Sequence, residues 1–94
     1  MNPLQRALIE KAGHDNGFEY VLPGDAQHVA LASARHPARV RVGVVGQGFA
    51  VGIDTGSATL AQELARTFAT SQTGATTFVL PSEALLAHWL RRAA

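Results

Sequence analysis

Residues 39–44 alternate strictly: Arg39, Arg41 and Gly43 are interleaved with Val40, Val42 and Val44. A two-residue period allows only a β-strand, one face apolar and the other polar or small. Gly46-Gln47-Gly48 follows, a tight-turn signal, and then Phe49, Val51 and Ile53 alternate with Ala50 and Gly52. A hairpin with one valine-rich face cannot stand alone in water and needs a layer of helices over that face.

The flanking segments supply that layer. Asn2 as cap and Pro3 at the first helical position predict a helix with Leu4, Ala7, Leu8 and Ala12 on its inner face, ended by Gly13. Phe18 to Leu22 and His28 to Ser33 read as two further strands, separated by the turn Pro23-Gly24-Asp25. A second helix is expected from Thr59 to about Thr67, with Leu60, Leu64 and Phe68 in register. Ser71 to Gly74 reads as a loop and Thr76 to Leu80 as a short fifth strand, able to pair at either edge. Pro81-Ser82 opens a third helix with Leu85, Leu86, Trp89, Leu90 and Ala93 inward. The expected order is α-β-β-β-β-α-β-α. The fold class is α+β: an antiparallel β-meander of four to five strands with three helices packed on one face.

The chain has 94 residues, enough for one domain, and 47% of them are hydrophobic. It contains no cysteine, hence no disulfide or thiolate metal site. Residues 1–6 are not a signal peptide, since Glu10 and Lys11 break the apolar stretch behind them. No run reaches the roughly 18 apolar residues of a membrane span. These features point to a soluble protein of the cytoplasm, not associated with membranes.

Charge is unevenly placed. Net charge is +1, yet no acid occurs between Asp25 and Asp54, an interval holding Arg35, Arg39, Arg41, His28 and His36. With the valines inward, the outer sheet face carries His28, Ala30, Ala32, Arg39, Arg41, Gly43, Ala50 and Gly52. Small residues beside arginines, with no acid inside the interval to pair them, predict a flat, basic face for phosphate. Arg35, Arg39 and Arg41 are the expected DNA contacts, assisted by His28, His36 and Gln47. Phe18 and Tyr20 are candidates for stacking on a base.

Other chemistry is poorly supported. The histidines His14, His28, His36 and His88 have no i,i+4 pairing, so no metal site is expected. No P-loop or nucleophile elbow is present, and no catalytic residue or cofactor is assigned. Asp54-Thr55-Gly56 after an apolar strand resembles the motif of retroviral-type aspartic proteases, which implies a dimer with Asp54 activating water. Here, however, the motif comes late and helices are expected after it. The other reading of this loop is that Asp54 or Ser57 supports the start of the second helix.

Two stretches carry a further resemblance. Ala7-Leu8-Ile9-Glu10-Lys11-Ala12-Gly13-His14-Asp15-Asn16-Gly17-Phe18-Glu19 and Leu31-Ala32-Ser33-Ala34-Arg35-His36-Pro37-Ala38-Arg39-Val40-Arg41-Val42 together resemble the N-terminal domain ahead of the nuclease in some bacterial HNH endonucleases. The family's metal-binding HNH segment is absent. The resemblance therefore implies a single domain, residues 1–94, serving as the specificity module of a longer restriction enzyme. It would bind double-stranded DNA, including DNA with modified cytosine, and be followed by a C-terminal nuclease domain. A protein-interaction or homodimerisation domain using the same Ala/Gly-rich face is the alternative from another class.

Overall fold

The computed structural model describes residues 1–34, 38–55 and 58–94. The element order is α1 (Pro3–Asp15), β1 (Tyr20–Leu22), β2 (His28–Ala32), β3 (Arg39–Val45), β4 (Gly48–Thr55), α2 (Ala58–Thr67), β5 (Thr77–Leu80) and α3 (Glu83–Ala93), with a 3-10 turn at Ala69–Ser71 between α2 and β5. The strands form one antiparallel sheet in the order β1-β2-β3-β4-β5, so β5 pairs with β4 at the far edge from β1. The fold is α+β.

Local signals account for the boundaries. Asn2 Oδ1 accepts from Gln5 N at 2.8 Å and Gln5 Oε1 accepts from Asn2 N at 2.9 Å, a reciprocal capping box in front of Pro3. Ser82 Oγ accepts from Leu85 N at 3.2 Å and starts α3. Gly46, at φ 57°, occupies the first position of the two-residue turn joining Val45 to Gly48, where hairpin geometry demands a positive φ.

Val29, Leu31, Val40, Val42, Phe49, Val51, Ile53, Phe78 and Leu80 project from one sheet face into the core. Ile9 of α1, Leu60 and Leu64 of α2, and Leu86, Trp89 and Leu90 of α3 close it from the other side. Phe78 packs between Trp89 and Phe68, with ring centroids 5.8 and 6.5 Å away. All three helices therefore cover the same face.

Two expectations about α1 are corrected. Gly13 does not end the helix. It is buried within it, and a Cβ there would fall 2.8 Å from Leu31 Cδ1, so glycine lets α1 lie close on β2. The helix runs on to Asp15, and the left-handed residue is Gly17, at φ 101°. The inward face is Ile9 and Gly13, with Leu8 and Ala12 partly buried against the core as expected; Leu4 is 83% exposed and Ala7 is also outside. Ile9 wins the inward place because it lies one helical turn from Gly13, the point of closest approach.

Candidate nucleic-acid interface

The sheet face away from the helices is uncovered, and its register sets which side chains are neighbours. Antiparallel pairing aligns Leu22, Ala30, Arg41, Gly52 and Thr77 in one row across all five strands. The next row is His28, Gly43, Ala50 and Val79. On the other side of the Arg41 row lie Tyr20, Ala32 and Arg39. The valine alternation thus puts both arginines outside, on adjacent rows.

The face is less basic than the interval's composition suggests. Arg41 Nε donates to Asp54 Oδ1 at 2.5 Å. His28 Nδ1 lies 3.1 Å from Asp25 Oδ1. The two acids that bound the acid-free interval therefore each fold back onto one of its cations. The expectation that the arginines lack acids to pair with is overturned for Arg41. Its cause is register: Arg41 sits opposite Gly52, and Asp54 is two residues on, on the same face, within diagonal reach. The pairing also shifts by one residue between Val40 and Arg39, leaving Asp54 as the extra residue of a β-bulge, a device that re-aims a side chain.

The Asp25 turn is a built unit. Asp25 Oδ1 accepts from Gln27 N at 2.8 Å as well as facing His28. The Gln27 N–H first, then His28, holds its carboxyl below the ordinary carboxylate value. Arg6 of α1 fastens the same turn from beneath, donating to the carbonyls of Asp25 at 3.0 Å and His28 at 3.4 Å.

Arg39 is exposed and has no hydrogen-bond or ion-pair partner among the described residues. On the open face it is the described arginine left without a counter-charge. Arg35 and His36 lie outside the described residues, as do Gly56 and Ser57. Gln47 is exposed at the tip of the β3–β4 hairpin, at the opposite end of β3 from Arg39, roughly 20 Å away along the strand. It does not join the arginines in one cluster. Of the two stacking candidates, Tyr20 is 55% exposed on the open face beside Ala32. Phe18 is 1% exposed: it precedes β1, packs in the core, and offers no ring to a base. Strand β1 starts at Tyr20, two residues later than expected, because Phe18 is drawn under the sheet.

Asp54 is engaged by Arg41, and the chain after it forms α2, β5 and α3. No group of three or more His, Asp or Glu among the described residues could hold a metal ion. No helix among them is long and apolar enough to cross a membrane. Comparison with protein-family models, with curated proteins and with solved structures finds no match.

Proposed function

We propose that this protein is a DNA-binding module that docks double-stranded DNA on the uncovered sheet face and performs no catalysis itself. In this reading it is the recognition domain of an HNH-type restriction endonuclease, and modified cytosine is the mark it reads. The observation that carries the proposal is the sidedness of the fold. All helices cover one face, while the other presents Arg39 without a side-chain partner among the described residues, Arg41 half-exposed on the adjacent row, and small Gly/Ala positions that the His28 and Arg41 side chains partly cover.

Dimensions decide how duplex would be met. Five strands spaced about 4.8 Å apart span roughly 19 Å, wider than the about 12 Å of a major groove. The face would therefore rest on phosphates, and base reading would fall to groups that protrude, Gln47 at the hairpin tip or Tyr20 against an extruded base. Two phosphate contacts give a logarithmic salt slope of about −1.8. The test is duplex binding by fluorescence polarisation over a salt series, with cytosine modified or unmodified; salt-insensitive or absent binding counts against the proposal.

One observation favours a second reading. Tyr20, Val45 and Val79 are exposed apolar residues on the same open face as the alanines. A second copy or another protein would cover them. Light scattering that reports a dimer, with no DNA bound at low salt, favours that reading.

A further inference from the structure

The middle of the open face is hollowed. A depression of about 120 Å3 is walled by His28, Arg41, Thr73 and Thr77 and floored by Ala50 and Gly52. That is several times the roughly 30 Å3 share of a water molecule.

Its polar groups are mostly donors. Arg41 uses Nε on Asp54, which leaves the four N–H of its two Nη groups. Nη2 stands over the floor, 3.6 Å from where a Gly52 Cβ would be, and Thr77 Cγ2 flanks the same point at 3.6 Å. Thr73 Oγ1 donates to Thr77 Oγ1 at 3.1 Å, which leaves the Thr77 proton to point elsewhere. His28 uses Nδ1 on Asp25, leaving Nε2 near Gly43, 3.5 Å from its Cβ position. Asp25 and Asp54 do not line the hollow; they hold the His28 and Arg41 side chains in place.

Building on the DNA reading, we propose that this hollow is a subsite for one phosphate group, a phosphodiester of the DNA backbone. Arg41 Nη and the Thr77 hydroxyl are its donors, and the His28 ring forms the wall beside them. The charged groups around His28 are Asp25 in its own turn, Arg41 from β3 and Arg6 from α1. From β4 and β5 its row receives Ala50 and Val79, without charge.

The test is an amide-shift titration of the 94-residue protein with dimethyl phosphate, a monoanion at both pH 5.5 and 7.5, and in parallel with inorganic phosphate. Saturable shifts at Gly52 and Thr77 are expected with the diester at both pH values. Thr77→Val and Gly52→Ala should abolish them. The Gly52→Ala methyl meets its neighbours at ordinary contact distance and fills the floor without unfolding the sheet. Absent shifts, shifts indifferent to Thr77→Val, or tighter binding of inorganic phosphate than of the diester would overturn the assignment. If shifts are absent while duplex still binds through Arg39, the subsite alone fails. If shifts persist and no duplex binds, the DNA reading alone fails.

Discussion

Arg41 and Asp54 are diagonal neighbours on adjacent strands, joined Nε to Oδ1 at 2.5 Å. This pair halves the charge that the open face offers through β3, because Asp54 neutralises Arg41 while Arg39 has no such partner among the described residues. Both partners are more than a third exposed, so the pair itself contributes little to stability, about 0.2–1 kcal/mol. Its effect is on binding.

Removing the counter-charge should therefore strengthen binding. Asp54→Asn is expected to tighten duplex binding severalfold at low salt, because Arg41 then meets phosphate without a competing carboxylate. The melting temperature should change little. Polarisation titrations at several salt concentrations check this; weaker binding in Asp54→Asn would mean that the carboxylate is needed to hold Arg41.

The two arginines should not be equivalent. Arg39→Ala is expected to cost more DNA affinity than Arg41→Ala at low salt, since Arg41 is compensated by Asp54 and Arg39 has no counter-charge among the described residues. The same titrations on the single variants decide it.

Phe18 and Tyr20 separate the core from the face. Phe18→Ala should cost about 3–5 kcal/mol in denaturant unfolding, as large core deletions do. Tyr20→Ala should leave stability within about 0.5 kcal/mol, as at most surface sites. If its ring stacks on a base, that variant loses about 1–3 kcal/mol of binding to single-stranded or extruded bases.

Acid should probe the Asp25 turn. Its carboxyl is held below the ordinary value, mainly by the Gln27 N–H and next by His28. The folded state therefore binds fewer protons there than the unfolded chain, and stability rises with pH through this range. The contribution is complete above the unfolded value of about 4 and is lost as pH falls through the lower folded value. Asp25→Ala should be less stable than the parent at neutral pH, by a margin that shrinks below about pH 4. Urea unfolding at stepped pH values measures that margin.

Gly17 carries the backbone demand at the end of α1. With φ at 101° and a Cβ position 2.8 Å from Ala94 Cβ, Gly17→Ala should destabilise by about 1–3 kcal/mol. Thermal unfolding checks it.

The sheet was legible in the sequence because period-two alternation from Arg39 to Ile53 admits one structure and one register, and the turn glycines fix both. The face of α1 was only partly legible because Ala12 and Gly13, both small, point inward while Leu4, an apolar residue, faces solvent. The site was half legible. Alternation placed Arg39 and Arg41 outside, but the count of acids inside the interval hid those at its ends. With Ile53 inward, Asp54 must face outward beside Gly52, so parity and hairpin register alone could have revealed its partner. Phe18 was misplaced because proximity to β1 says nothing about which way the chain enters the sheet.

The most direct test of a DNA-binding sheet face is polarisation titration of a labelled duplex, from low to physiological salt, with the parent protein and with Arg39→Ala/Arg41→Ala. Salt-sensitive binding by the parent, with a slope near −1.8, and its loss in a double variant that melts as the parent does are the expected results. Unchanged affinity in that folded variant would contradict DNA binding on this face.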